Sequence, residues 1–242
     1  MPPRLFLSDL HLAPERPEAT AAFVAFCEGP ARAAAAVYIL GDLFDWWIGD
    51  DQLNDPYFAK IGEAIRGITQ AGVPVCVAHG NRDFVLGPRF AAATGATILP
   101  EQHLIDAEGT PVLVSHGDEL CTGDIEYQRY RTRMRDPATQ QRLLRLPYFV
   151  RRGIARWLRH KSATATALKA ESIMDVDDDA VREAFRKFDV SRMIHGHTHR
   201  PATHRIDVDG RSCERVVLAD WDDRGHYVEL DGEAVWRREI RA

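Results

Sequence analysis

The 242-residue chain is 45% hydrophobic and 28% charged, which suits one large α/β domain with a real core and excludes a disordered or low-complexity chain. Its net charge of −5 hides a split: residues 125–170 hold ten Arg and two Lys against Glu126 and Asp136, so +10, and −15 falls elsewhere, as expected of a basic module facing an anionic partner. Four scattered cysteines, Cys27, Cys76, Cys121 and Cys213, form no CxxC pair and argue against a disulfide scaffold; Met1-Pro2-Pro3-Arg4 leads into a strand rather than a signal peptide, and no apolar run approaches the ~18 residues of a membrane span.

In chain order, Arg4 to Ser8 reads as a first strand, running into Ser8-Asp9-Leu10-His11-Leu12. Asp9 and His11 lie two apart and point the same way if extended. Pro17 to Glu28 has helical spacing, with Ala22, Phe23 and Phe26 on its apolar face and Gly29-Pro30 as its stop. Val37-Tyr38-Ile39-Leu40 is a short apolar run that fits a buried strand; it breaks at Gly41 and delivers Asp42 at the carboxyl end, where open α/β sheets place their chemistry. A helix is expected from Asp55-Pro56 to about Ala71, then a strand from Val73 to Ala78 that delivers His79-Gly80-Asn81-Arg82-Asp83. A short helix near Pro88 to Ala93 and a hairpin from His103 to Ser115 around Glu108-Gly109 lead to His116-Gly117-Asp118. From Asp124 to Met174 no strand signal occurs, and several helices are expected, interrupted at Pro137, Pro147 and Gly153. After an amphipathic helix at Asp177 to Phe188, Arg192-Met193-Ile194 enters His195-Gly196-His197-Thr198-His199-Arg200-Pro201, and the tail is β with turns at Asp209-Gly210 and Asp231-Gly232.

Five sequence-distant strand ends thus deliver metal-ligand side chains: Asp9 and His11, Asp42, Asn81, His116, and His197 with His199. The mixed oxygen and nitrogen donors suit Mn²⁺, Fe²⁺ or Zn²⁺ better than Ca²⁺. A carboxylate has two oxygens, so Asp42 in the middle position reads as the ligand shared by two ions. Such a pair, about 3.5–4 Å apart, activates water and clamps a phosphoryl group for in-line attack.

In order and spacing these blocks resemble the calcineurin-like metallophosphoesterases, over nearly the whole chain. The resemblance implies an α/β fold, a four-layer α/β/β/α sandwich forming a single domain over residues 1–242, with a helical insertion cap at about 124–174. It implies that Asp9, His11, Asp42 and His199 hold one ion and Asp42, Asn81, His116 and His197 the other. One position departs from the family pattern: a histidine that assists the leaving group usually follows the Asn, and here Arg82 stands there. Arginine gives up no proton near neutral pH and can only stabilise negative charge. A leaving phosphate needs little protonation, so Arg82 points to a phosphoanhydride substrate rather than a simple ester.

Finer segments, including Trp47-Ile48-Gly49-Asp50-Asp51, Leu120-Cys121-Thr122 and Ile173-Met174-Asp175-Val176, resemble the branch of that family that hydrolyses UDP-2,3-diacylglucosamine in lipid A biosynthesis. This implies Mn-dependent attack of water on the UMP phosphorus, giving UMP and 2,3-diacylglucosamine 1-phosphate, with two Mn²⁺ per chain. It implies Asn81, Arg82 and His197 as catalytic groups beside the scissile phosphates, Asp124 as a sugar contact, and Ser162, Thr166 and Lys169 as substrate contacts of the insertion. Thr166 stands where the branch often has Asn, and Gly123 where it often has an acid.

Blander readings stand beside these. Arg82 could be a structural partner of Asp83 or Asp118; Asp124 could cap the following helix; Ser162, Thr166 and Lys169 could be an exposed helix face. Pro147 to Lys161 is basic and apolar at once. Phe149, Val150, Ile154, Trp157 and Leu158 could line an acyl groove or touch lipid, and Arg151, Arg152, Arg156 and Arg159 could meet anionic headgroups, each worth roughly 1 kcal/mol. Trp46 and Trp47 read as core or pocket wall, and no aromatic platform for nucleic acid is found. The expected partners are a lipid-linked nucleotide sugar and, peripherally, the anionic cytoplasmic face of the inner membrane of a Gram-negative-type bacterium, met by a monomer in the cytoplasm. The competing readings are a dimetal phosphoesterase for a soluble nucleotide pyrophosphate or cyclic nucleotide, a catalytically dead scaffold, and a membrane-binding module with incidental metal sites.

Overall fold

The computed structural model describes residues 2–167 and 175–241, with side chains described for 2–158 and 175–241. Strands β1 (Arg4–Leu7), β2 (Ala36–Leu40), β3 (Val75–Ala78) and β4 (Thr97–Ile98) run parallel, and β10 (Gly225–Asp231) and β11 (Ala234–Ile240) extend their sheet antiparallel beyond β1. The second sheet has the order β5 (Gln102–Ala107), β6 (Thr110–Ser115), β7 (Arg192–His195), β9 (Arg211–Val217), β8 (Ala202–Val208), with β6, β7 and β9 parallel.

Alternation along the strands builds the layers. Leu5, Leu7, Val37, Ile39, Val75 and Val77 pack under helices α1 (Pro17–Glu28), α2 (Pro56–Gln70) and α3 (Pro88–Thr94). Their neighbours Phe6, Tyr38, Leu40 and Ala78 face the other way and meet Val112, Val114, Ile194 and Val216 of the second sheet. Leu113 and Met193, on that sheet's outer face, pack with Val181, Ala184 and Phe185. The four-layer α/β/β/α sandwich read from the sequence is therefore present. Strand β4 was not expected, because two residues are too few to show a period, and β9 begins at Arg211 and ends at Val217, earlier than the Arg215 to Ala219 expected from the apolar residues alone.

Three helices stand between the second sheet's strands in sequence: α4 (Ile125–Arg135), α5 (Pro137–Leu144) and α6 (Tyr148–Ala167), followed by α7 (Asp178–Phe188). Pro137 occupies the first turn of α5 and Pro147 directly precedes α6, positions where a missing N–H costs nothing. Gly153 was expected to interrupt a helix and does not. It lies within α6, exposed, with open space where a side chain would be, so only its modest helix propensity cost of about 1 kcal/mol applies. The Glu108-Gly109 and Asp209-Gly210 turns form as read, both residues of each having positive φ. The last turn sits one residue later than expected: Asp231 pairs with Ala234, so Gly232-Glu233 makes the loop and the glycine takes the positive φ.

Candidate metal centre and the cavity beside it

All five ligand-bearing blocks follow the carboxyl ends of parallel strands, β1, β2 and β3 in one sheet, β6 and β7 in the other. The loops are tied to one another by backbone bonds. Asp9 N donates to Gly41 O (3.1 Å), His11 N to Asp42 O (3.0 Å), and Gly196 N to His116 O (2.9 Å). His197 N crosses between the sheets to Asp9 Oδ2 (2.8 Å). Gly41, at φ +88°, makes this closeness possible: a Cβ there would lie 2.6 Å from His116 Nδ1.

The side chains converge. Asp42 turns Oδ2 toward His11 Nδ1 (3.8 Å) and Oδ1 toward His116 Nε2 (3.9 Å). Asn81 Oδ1 lies 3.1 Å from His116 Nε2 and 3.0 Å from His197 Nδ1. His199 Nε2 is 3.4 Å from Asp9 Oδ1. Ligand atoms of Asp9, His11 and His199 lie within 4.8 Å of one another, as do those of Asp9, Asp42 and His116. Five of the eight non-glycine residues with positive φ among the described residues are Asp9, His11, Asp42, His197 and His199. Left-handed backbone costs an ordinary residue of order 1 kcal/mol or more, and here it concentrates on the residues whose direction matters.

Burial and mutual charge pull these groups in different directions. Burial drives the His11 imidazole down to about 3 and His197 down to about 4, the latter helped by the charge on His116. Burial pushes the Asp42 carboxyl up to about 7. For His116 burial works the other way, but Asp42, Asp9 and Asp118 overcome it and hold the imidazole up to about 9. Burial likewise opposes the charge on Asp9, yet contact with His199 and the fields of His116 and His11 keep it well below the ordinary carboxylate range. Asp9 Oδ1 and His11 Nδ1 are buried without hydrogen-bond partners. Unpaired buried lone pairs of this kind are costly unless something positive meets them, and the oxygen–nitrogen donor set matches a borderline divalent ion.

Several neighbours act on these groups. Asp83 is fully buried and its carboxylate accepts from Gly80 N (2.7 Å), Leu43 N (2.8 Å) and Asp42 N (3.3 Å), so it shapes two loops at once. It is therefore no partner for Arg82, whose Nη1 lies 3.7 Å from Asp45 Oδ1. Asp118 is occupied too, by Tyr127, Arg131 and Arg135 of α4. Asp220 approaches His199 Nδ1 (3.4 Å). Sequence reasoning assigned none of these roles. An acid two residues after His116, facing a helix with arginines at i and i+4, was the one available signal for Asp118.

Beside the cluster lies a cavity of about 330 Å³, with Asn81, Arg82 and Asp45 at one end and Trp46, Trp47, Ile48, Phe84, Tyr130, Ile154 and Leu158 among its walls. Ile154 and Leu158 thus line a groove as expected, and both tryptophans are wall. Phe149 and Trp157 point outward, 75% and 60% exposed. Arg151, expected to reach headgroups, is instead 5% exposed and is held by Asp51 and the Ile48 carbonyl. An arginine in the path of the loop's carbonyls satisfies them better than solvent can. Arg152 and Arg156 are exposed. Asp124 Oδ1 accepts from Tyr127 N (3.0 Å) and caps α4. Lys169 lies outside the described residues; of Ser162 and Thr166 the helical backbone alone is described, and the Arg159 side chain is likewise outside.

A family model described as calcineurin-like phosphoesterase matches residues 2–201. A UDP-2,3-diacylglucosamine hydrolase of Pseudomonas paraeruginosa is 47% identical over 227 residues, 94% of each chain. The protein of that name from Escherichia fergusonii is 46% identical over 231 residues, 96% of each. Among solved structures, an archaeal phosphodiesterase superposes with a TM-score of 0.49 at 11% identity, covering 99% of both chains.

Proposed function

The chain belongs to the calcineurin-like phosphoesterase family, and from that premise we propose that it hydrolyses the pyrophosphate bond of UDP-2,3-diacylglucosamine, yielding UMP and 2,3-diacylglucosamine 1-phosphate for lipid A biosynthesis. The observation that carries this reading is a juxtaposition. The cluster of acids and histidines opens, across Asn81 and Arg82, directly onto an apolar cavity walled by Trp47, Phe84, Ile154 and Leu158. A soluble nucleotide has no use for such a cavity; a pyrophosphate carrying acyl chains does.

Asp9, His11, Asp42 and His199 would hold one divalent ion, and Asp42, Asn81, His116 and His197 the other, Asp42 offering one oxygen to each side; both ions are Mn²⁺ in this reading. When bound, such ions lower the pKa of a water and supply positive charge to phosphoryl oxygens. The water oxygen forms the new bond to the UMP phosphorus, and the bond to the bridging oxygen breaks with its electron pair leaving on the lipid phosphate. Arg82, a guanidinium lining the cavity beside Asn81, stabilises the developing charge without donating a proton, as a weakly basic phosphate leaving group permits. Asn81 and His197 direct polar atoms at the same point. The apolar wall holds an acyl chain and keeps water from the flank of the site.

In this reading residues 1–242 form one domain, and α4–α6 are a cap inserted at about 124–174, whose inner face closes the cavity. In the same reading Asp124 is a sugar contact, and Ser162, Thr166 and Lys169 are substrate contacts of the insertion. The outer face of the cap presents Ile125, Leu146, Phe149 and Trp157 among exposed Arg145, Arg152 and Arg156. That mixture supports peripheral contact of a monomer with the anionic cytoplasmic surface of the inner membrane. No described helix is long and apolar enough to cross a membrane.

The test is turnover of UDP-2,3-diacylglucosamine by metal-stripped protein, with and without Mn²⁺, in H₂¹⁸O. Mn²⁺-dependent release of UMP carrying ¹⁸O is expected. Label in the lipid phosphate overturns the choice of phosphorus. No turnover, beside brisk hydrolysis of a soluble nucleotide pyrophosphate or cyclic nucleotide, overturns the lipid substrate.

A further inference from the structure

Three residues of α4, spaced four apart on one helical face, converge on one buried carboxylate. Tyr127 Oη donates to Asp118 Oδ2 (2.8 Å), Arg131 Nε to the same oxygen (2.9 Å), and Arg135 Nη2 to both Asp118 oxygens (3.2 and 3.1 Å). Asp118 is 1% exposed. Its backbone carbonyl accepts from a fourth residue of α4, Gln128 Nε2 (2.8 Å). Glu101 closes the network from outside, on Arg131 (2.8 Å) and Arg135 (3.1 Å).

Two of the anchored residues touch the candidate site itself. The Tyr127 ring stacks on the His197 imidazole, centroids 5.7 Å apart at 27°. Arg135 Nη2 also reaches the carbonyls of His79 (3.5 Å) and Gly80 (3.4 Å), the residues that lead into Asn81 and Arg82. Asp118 itself follows His116 by two positions on a turn that the left-handed Gly117 makes tight. One carboxylate therefore stands where three ligand-bearing loops and one helix meet.

We propose that Asp118 is a positioning residue: it seats α4 on the sandwich and, through Tyr127 and Arg135, fixes the orientation of the His197 ring and of the loop carrying Asn81 and Arg82. Seating of the helix and alignment of the reacting groups are then one event. A carboxylate serves better than a neutral acceptor because it takes charged donors on both oxygens at once, which fixes directions as well as distance. The proposal rests on the hydrolase reading above only for its kinetic readout.

Tyr127→Phe removes the hydroxyl and keeps the ring; Asp118→Asn removes the charge; Asp118→Glu keeps it. With UDP-2,3-diacylglucosamine and saturating Mn²⁺, kcat is expected to fall about tenfold in Tyr127→Phe and about a hundredfold in Asp118→Asn, with KM little changed and part of the loss restored in Asp118→Glu. Calorimetric Mn²⁺ affinity should stay within about threefold of the unaltered protein. In metal-free protein the His197 imidazole NMR signals should broaden or shift in Tyr127→Phe. A rise in KM with kcat unchanged makes Tyr127 a substrate contact and overturns the proposal. So does a loss of kcat that merely follows lost Mn²⁺ affinity, or an unmoved His197 spectrum. If the unaltered protein does not turn over this substrate, it is the hydrolase reading that fails, and the His197 spectrum alone judges Asp118.

Discussion

The ligand-bearing loops and the helices α4–α6 are built on opposite terms. Asp9 is 0% exposed and Asp42 and His116 are 2% exposed, and backbone bonds lock their loops together across two sheets. Among the described residues of α4, α5 and α6, Arg151 alone is buried. Those helices hold on largely through polar contacts: ion pairs to Asp118, Glu101 and Asp51, and hydrogen bonds from Tyr127, Gln128, Arg135, Gln140 and Arg151. Groups that must point within a fraction of an ångström are given a rigid, even strained, backbone; the part that must admit a bulky substrate is fastened by contacts that can be made and broken.

The contrast can be broken at its rigid end first. Asp42→Ala should lower kcat/KM by roughly 10³-fold while the fold survives, since one carboxylate faces both halves of the cluster; retention of more than a tenth of the activity would remove Asp42 from the centre. Asp83→Ala leaves three buried backbone N–H groups unmet and should cost about 3 kcal/mol in chemical denaturation. Arg82→Ala should lose about 10²-fold in kcat, a loss that Arg82→His cannot repair at alkaline pH if charge rather than proton donation is what the residue supplies. At the adaptable end, Leu158→Trp should fill part of the cavity and cost about tenfold with long acyl chains, and less with short ones, in competition assays.

The smallest effect concerns pH. Burial alone would raise the Asp118 carboxyl, but His116, Arg135 and Arg131 hold it well below the ordinary range. A depressed carboxylate stabilises above its unfolded value of about 3.9 and loses that contribution only as pH falls through its lower folded value. Hydrogen exchange of α4, corrected for intrinsic rate, should therefore be flat from about pH 8 to about pH 5. Loss of protection near neutrality would show that something other than Asp118 secures the helix.

Much of the rigid half was legible in the sequence. Val37 to Leu40 is a short, fully apolar run, and Gly41-Asp42 ends it abruptly; the same grammar recurs at Asn81, His116 and His197, so each block announces both its strand and its side chain. The helical half was legible only as composition. An excess of arginine shows that acids or phosphates are wanted somewhere, not that Arg151 finds Asp51 a hundred residues away or that Arg131 and Arg135 find Asp118. Those pairings depend on where the sandwich places the end of α4. The continuous run of α6 through Gly153 was missed for a related reason: a local propensity cost was read as a break, and the rest of the helix outweighs it.

The spacing of Tyr127, Arg131 and Arg135 has a consequence for how this surface can change over time. An α-helix turns by about 100° per residue, so inserting or deleting one residue between Tyr127 and Arg135 would swing every later anchor off the face that meets Asp118. Exposed side chains on the opposite face, such as Arg129 and Arg133, are free to drift. The helix can be rewritten in letter but not in length, whereas α5, which sends no ion pair to Asp118, can gain or lose residues without disturbing that carboxylate's grip.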